Sequence, residues 1–585
     1  MTRRTQHSRA AASLLACFFS LMLPLSASDE KPGSDNSESK PSTTAPASTS
    51  SDIEQLKQML LEQQRQINEL RRELAAQKKS DDKEATPAVA AAPAPATHQS
   101  MGEVASTSGA VPPAPPAPVP LFNPPSAVPP PPQTSDNAVT SPLQFKLGDA
   151  YFTPVGFMDM TTVSRSTNPG TGIGTNFGSI PYGNTQAGSL TETRLSPQNS
   201  RIGMRIDAMY RNWKILGYWE SDFLGQTASP PNGSLAVSSN PYVFRMRLYW
   251  VDLRKGKFEF LAGQSWSLMT PNRAGISPLP GDIFYSQDMD VNYQLGLVWG
   301  RIPGYRMVLH PTEKIAFAVA LENSEPYVGG GNGGSGAVLP AAISTTNAVS
   351  GAVLGGQINN GSSTLSSAAL FPDVIAKLAF DPTRRVHFEI AGVEIADKIA
   401  YPGANTTFPT STKVGGGGSL NLSFELVKNF RILTNNFISD GGGRYIFGQA
   451  PDFIIRANGT PSLVHSASTV TGFEWTAGKT LIYSYYGGVY IGQNMALDAN
   501  GTTKIGYGAI ANDGQNRAIQ EFTVGTNTTL MRDSGWGAIN LITQYSYLQR
   551  NPWLAAVGAP RDAHLDMGFI DLRYTLPGSA PTLGK

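Results

Sequence analysis

Cysteine is nearly absent: the single one, Cys17, rules out a disulfide framework within one chain. Charge is scarce as well. Asp, Glu, Lys and Arg make up 15% of the 585 residues, against about 25% in ordinary soluble domains, and the formal net charge is +1. That balance removes the electrostatic reason to expect a nucleic-acid partner. Beyond Leu25 no run of about 20 apolar residues occurs, so the mature chain offers no transmembrane helix. If it spans a membrane it must do so as a closed barrel, where every backbone polar group finds a partner.

Signatures of catalysis and cofactors are also lacking. The six histidines (His7, His98, His310, His387, His465, His564) have no second His, Cys or carboxylate at zinc-ligand spacing on a helix. Gly170-Thr171-Gly172-Ile173-Gly174 has no helix after it, as a dinucleotide loop would require. Gly263-Gln264-Ser265 lacks the second glycine of a nucleophile elbow. Asp498-Ala499-Asn500-Gly501 has a faint calcium-loop look but reads as a turn. No cofactor, metal or catalytic residue is assigned. The enzyme alternative is an outer-membrane lipase whose Ser–His pair spacing does not reveal.

What is present begins with Arg3, Arg4 and Arg9, followed by an apolar run from Ala10 to Leu25 and the small residues Ser26-Ala27-Ser28. This is a secretory signal peptide over 1–28. The stretch Leu14-Leu15-Ala16-Cys17 resembles a lipoprotein signal, but the apolar run continues past Cys17. Residues 29–51 are Ser, Thr, Pro and Glu without pattern, and read as disordered.

Residues 52–79 carry a heptad repeat with Ile53, Leu60, Ile67 and Leu74 at position a and Leu56, Gln63, Leu70 and Gln77 at d. This predicts a periplasmic coiled coil about 37 Å long. A Pro/Ala-rich tract over 80–144 follows, a stiff, extended spacer.

From residue 145 to 577 the texture is alternation. In SRIGMRIDAMYRNWKILGYWESDF, residues 200–223, Ile202, Met204, Ile206, Ala208 and Tyr210 share one face, and Arg201, Arg205 and Asp207 the other. After Arg211-Asn212 the pattern resumes, with Trp213, Ile215, Gly217 and Trp219 set against Lys214, Glu220 and Asp222. A side-chain period of two broken by a polar pair is a hairpin. The same reading gives sixteen strands near 153–163, 201–210, 213–223, 242–253, 257–266, 293–310, 315–322 and 373–381, then 385–395, 418–426, 430–439, 464–476, 479–491, 517–530, 536–549 and 564–576.

Seven connections are short, such as Arg211-Asn212 and Ala477-Gly478. They alternate with long ones such as 164–200, 323–372, 440–463 and 492–516. Short turns on one rim and long loops on the other describe an all-β transmembrane barrel of sixteen antiparallel strands in a bacterial outer membrane. An even strand count puts both barrel ends on the short-turn, periplasmic side, and with them the coiled coil. In the last strand Ile570, Leu572, Tyr574 and Leu576 alternate with Asp571 and Arg573, similar to an outer-membrane assembly signal. The tail 578–585 lies behind it.

With its coiled coil, proline-bearing linker and a barrel carrying LSPQNSRIGMRID, ILGYWESDFLG and FLAGQSWSLMTPN, the chain resembles general sixteen-stranded porins and, more closely, the DcaP-like trimeric outer-membrane porins. The resemblance implies a homotrimeric diffusion channel, in outer-membrane lipid, for small and often negatively charged organic solutes. A purely structural alternative is an envelope tether in which the N-terminal region reaches peptidoglycan.

If the apolar residues face lipid, their neighbours line the lumen. The candidates are Arg201, Arg205, Asp207, Glu220 and Asp222. Arg245 and Arg247 join them if Phe244, Met246, Leu248 and Trp250 point outward, and Arg306 joins if Tyr305, Met307 and Leu309 do. The third long connection contains Asp282, Asp288 and Asp290. In sixteen-stranded porins that loop folds into the barrel, which would set these carboxylates across a constriction from the arginines and create a transverse field. Equally, Arg205, Asp207 and Glu220 would pair simply to support the wall. Both readings stay open at the level of sequence, with a lean toward anions.

Overall fold

The computed structural model of the chain describes residue 65 and residues 141–225, 243–278, 283–289, 291, 293–330, 336–346, 358–359, 369–402, 407–511 and 515–577. The signal peptide, the residues read as disordered, the coiled coil apart from Arg65, the linker up to residue 140 and the tail lie outside these residues.

Sixteen antiparallel strands form the wall. The first eight are β1 (Ala150–Arg165), β2 (Arg201–Tyr210), β3 (Trp213–Gly225), β4 (Val243–Lys255), β5 (Phe258–Trp266), β6 (Arg301–Thr312), β7 (Ile315–Glu322) and β8 (Asp373–Thr383). Then follow β9 (Val386–Ala400), β10 (Thr410–Val427), β11 (Phe430–Asp440), β12 (His465–Ala477), β13 (Thr480–Ile491), β14 (Asn516–Asp533), β15 (Gly537–Pro552) and β16 (Ala563–Thr575).

Each strand pairs with its sequence neighbours, and β1 closes the cylinder. Its first half pairs with β2 (Gly156↔Ile202), and its second half pairs with β16 (Thr161↔Asp571). Two short segments, Phe145–Leu147 and Glu192–Ser196, fill the edges of β1 left free by that stagger. Ser141 Oγ donates to Pro577 O at 2.8 Å across the seam. Closure removes exposed strand edges, which in hydrocarbon would cost several kcal/mol per unsatisfied group.

Arg211, Gly256, Asn429 and Gly478 take the left-handed conformation in the short turns of one rim. Outside the wall, Met158, Ile202, Phe244, Tyr305, Ile390, Trp475, Phe522, Ile570 and Leu572 are all exposed, an apolar and aromatic face suited to lipid. Among the described residues no helix is long and apolar enough to cross a membrane.

Three expectations from the alternation are corrected. The strand expected over 293–310 begins at Arg301, because Gln294, Leu295 and Val298 are bonded to the inner wall as part of a loop. The strand expected over 418–426 reaches back to Thr410, its glycine run pairing with Val393 and Glu394 of β9. In β4, Leu248 and Trp250 face inward (0% and 4% exposed), whereas Tyr249 (61%) and Val251 (39%) face outward. A β-bulge is the cause. Ser221 pairs with Met246 and Glu220 with Leu248, so Arg247 is an extra residue with no opposite partner, and parity inverts beyond it.

Candidate pore interior

The long connection L3 (267–300), between β5 and β6, runs along the inner wall. Leu268 N donates to Glu322 on β7 (2.7 Å), and Lys377 Nζ on β8 donates to Thr270 O (2.7 Å). Asn272 Nδ2 donates to Glu389 on β9 (2.9 Å), and Arg273 grips Glu474 on β12 through two nitrogens (2.8 and 2.5 Å). Further on, Gln294 Nε2 and Leu295 N both donate to Glu521 on β14 at 2.8 Å, and Gln287 N donates to Gln544 on β15 at 2.8 Å. The contact is close enough that side chains are excluded. A Cβ on Gly487 of β13 would collide with Leu295 O, and one on Gly296 (φ +87°) with Thr469 O.

Two other long loops pack onto L3. L1 (166–191) contributes Phe177, whose ring lies 5.9 Å from Tyr293. L6 (441–464) contributes Phe447, 4.7 Å from Tyr293 and 5.1 Å from Trp299. Trp266 meets Trp299 edge-on at 5.7 Å. All five aromatic side chains are buried. The interior is therefore not a simple polar tube: apolar inward residues such as Leu216, Tyr218, Leu248, Trp250 and Leu261 join the same core. Sequence parity gave no sign of this, because a loop that covers the wall from inside makes the inner face as dry as the outer one.

The candidate arginines form an ion-pair ladder across β2, β3 and β4. Arg201 stands 3.8 Å from Glu220, which accepts from Arg247 Nε at 2.8 Å. Arg247 Nη1 reaches Asp222 at 2.6 Å, and Arg245 binds the same carboxylate through two nitrogens at 3.0 and 2.6 Å. Arg201, Arg247, Glu220 and Asp222 are buried, whereas 13% of the Arg245 side chain is exposed. Arg205 and Asp207 form their own two-point pair at 2.7 Å, half-buried. Arg306 is buried and donates to Ser265 Oγ and Trp266 O. Asp288 is fully buried against the wall, not turned to water. Asp282 and Asp290 lie outside the described residues.

Sequence reasoning missed several members of the interior. Arg301 lies 5.9 Å from the rings of both Trp266 and Trp299 and is close enough to act electrostatically on Asp222. Its position at the true start of β6 was hidden by the overlong strand expected there. Arg254 bridges Asp252 (2.5 Å) and Glu259 (3.1 Å), and His310 contacts Glu259 at 2.7 Å.

A second cluster lies where L6 meets β8 and β9. Arg444 is surrounded by Asp373 (3.5 Å), Asp397 (3.7 Å) and Asp452 (3.2 Å), and Tyr445 OH donates to Asp373 at 2.8 Å. Both oxygens of Asp397 lack a hydrogen-bond donor. Burial pushes the Asp452 carboxyl well above the usual range against the pull of Arg444. The Arg444 guanidinium, though opposed by burial, is held more firmly charged by the three carboxylates.

Four ion pairs share a polarity. In Arg245–Asp222, Arg254–Asp252, Arg273–Glu474 and Arg444–Asp373, the arginine side chain is 11–23% exposed and its carboxylate 0–6%. Arg205–Asp207 and Arg165–Glu192 run the other way, at 13% and 36% and at 0% and 11%.

By shape, the barrel is similar to the outer membrane channel DcaP of Acinetobacter baumannii. The two align with a TM-score of 0.52 over 74% of this chain and 99% of that one, at 14% identity. The fold is that of an outer-membrane channel. An anion-selective porin from Comamonas acidovorans aligns at 0.40 over 73% of this chain and 100% of its own, at 10% identity. Pseudomonas putida OprB aligns at 0.40 over 72% and 94%, at 9% identity. No family model matches the sequence, and no curated protein does.

Proposed function

We propose that the chain is an outer-membrane porin for passive diffusion of small hydrophilic solutes, with a preference for anions, and that it catalyses no covalent step. The observation that supports the preference is the exposure of four wall pairs, in which the arginine side chain is 11–23% exposed and its carboxylate 0–6%. A water-filled passage lined this way presents positive potential, and low-dielectric walls focus it. The closed barrel, its lipid-suited outer face and an L3 bonded to the inner wall support the channel reading. The constriction belongs to this proposal, with Arg245 and Arg301 on one side and L3 on the other.

A homotrimer in outer-membrane lipid is part of the same proposal, as is a periplasmic N-terminal region that reaches peptidoglycan. The test is planar-bilayer recording of the refolded protein. Conductance steps grouped in threes are expected, and a correctly folded barrel that never conducts would overturn the porin reading.

A further inference from the structure

Six of the short turns on one rim hold two residues each: Arg211-Asn212, Gly256-Lys257, Glu313-Lys314, Arg384-Arg385, Lys428-Asn429 and Gly478-Lys479. Every one contains a lysine or arginine, giving seven cations in twelve positions against one acid, Glu313. In the whole chain Lys and Arg make up only 45 of 585 residues, and 44 acids match them. Hairpin turns call for Gly, Asn or Asp to meet left-handed backbone, and they call for no charge of one sign. Arg211 even takes the left-handed conformation itself (φ 54°), where an asparagine would sit at less cost.

All seven cations are exposed, and none of them forms an ion pair among the described residues. Arginines of the inner wall, in contrast, hold carboxylates. Two contacts show which side of the rim the charge takes. The Arg211 guanidinium lies 5.4 Å from the Tyr210 ring, and Lys255 Nζ, at the end of β4, lies 5.2 Å from the Trp213 ring. Tyr210 pairs with Trp213 on the outer face of β2 and β3 and is itself exposed. Phe258, directly after Lys257, and Trp475, four residues before Lys479, are exposed on the same outer face. The positive charge therefore caps the apolar belt on its lipid side. That is the level at which aromatic rings meet headgroups and long cationic side chains reach phosphate.

We infer that the short-turn rim is a binding ring for anionic phospholipid headgroups in the leaflet it meets. The ligand is a phosphodiester of net negative charge, such as a phosphatidylglycerol headgroup, gathered beside each cation without a closed pocket. The inference rests on the reading of the barrel as an outer-membrane protein, and on no property of its lumen. Position and charge together favour a lipid over a dissolved solute. Cations at the outer edge of the belt are neighbours of headgroups, and successive turns meet several lipids at once. Such binding is electrostatic, so salt weakens it.

The test uses the full chain refolded into phosphatidylcholine vesicles with a trace of spin-labelled phosphatidylglycerol or spin-labelled phosphatidylcholine. Electron spin resonance reads the share of label held at the protein. At low salt wild type is expected to hold phosphatidylglycerol about threefold or more over phosphatidylcholine, and to lose most of that preference at about 0.5 M potassium chloride. Arg384→Gln/Arg385→Gln/Lys428→Gln/Lys479→Gln is expected to bring the ratio near one. Should it fail to fold, its two halves, Arg384→Gln/Arg385→Gln and Lys428→Gln/Lys479→Gln, are each expected to lower the ratio in part. Arg456→Gln/Lys504→Gln/Arg561→Gln, which removes exposed cations of the long loops, is expected to leave it unchanged. Equal retention of the two lipids by wild type would overturn the ring, as would a four-site variant that keeps the preference. So would loss of the preference when inorganic phosphate replaces chloride at equal ionic strength, because the rim would then be a site for free anions. The readout involves no conductance: a barrel that never conducts leaves the ring standing, and equal retention by a conducting barrel leaves the porin reading standing.

Discussion

The ladder on β2–β4 and the knot around Arg444 are built from the same groups in opposite proportion. In the ladder, Arg201, Arg245, Arg247 and nearby Arg301 face two carboxylates, Glu220 and Asp222. In the knot one arginine faces three, Asp373, Asp397 and Asp452. Excess base stays ionised, because a guanidinium does not give up its proton. Excess acid in a dry site takes up protons instead, and at the knot both oxygens of Asp397 lack a donor. One side of the ratio yields permanent field; the other yields sensitivity to pH.

The largest effect expected from disturbing this contrast comes from Asp222→Ala. It strips the counter-charge from Arg245 and buried Arg247 together, and removing one partner of a buried pair costs about 3–5 kcal/mol. Equilibrium urea unfolding in lipid or detergent vesicles reads the loss. Arg444→Met comes next, expected to cost about 2–3 kcal/mol at pH 8 and clearly less at pH 5. The sign follows from Asp452, whose carboxyl is held protonated by burial when an exposed one would have ionised. With the arginine gone, folding must retain still more protons, and stability falls as pH rises above about 4. A pH-independent cost would show that the knot is held by packing alone. The smallest effect is expected from Asp397→Asn, within about 1 kcal/mol of wild type or slightly stabilising near neutral pH, because neither carboxylate oxygen accepts a hydrogen bond that would be lost. A loss as large as that of Asp222→Ala would erase the contrast between the two regions.

The strand plan was legible because lipid imposes it: residues such as Ile202, Tyr305 and Ile570 must be apolar at every second position whatever the lumen contains. The sequence could not show what happens on the inner side. A one-residue bulge at Arg247 leaves no compositional trace, since Leu248 and Trp250 are as acceptable under L3 as they would be in lipid. Asp288 reads as a lumenal carboxylate until Thr523 and Gln544, more than two hundred residues away in sequence, are seen beside it. The base-outward, acid-inward arrangement is equally invisible, because Arg245 and Asp222 share a face and differ only in reach.

That arrangement is the central claim, and reversal potential under a potassium chloride gradient tests it most directly. Wild type is compared with the double variant Arg245→Gln/Arg254→Gln, which removes two partly exposed arginine charges and leaves the fully buried Arg247 in place. A wild-type potential of the sign given by chloride, moving toward zero or reversing in the variant, is the result expected. A folded, conducting variant with an unchanged potential would contradict the account.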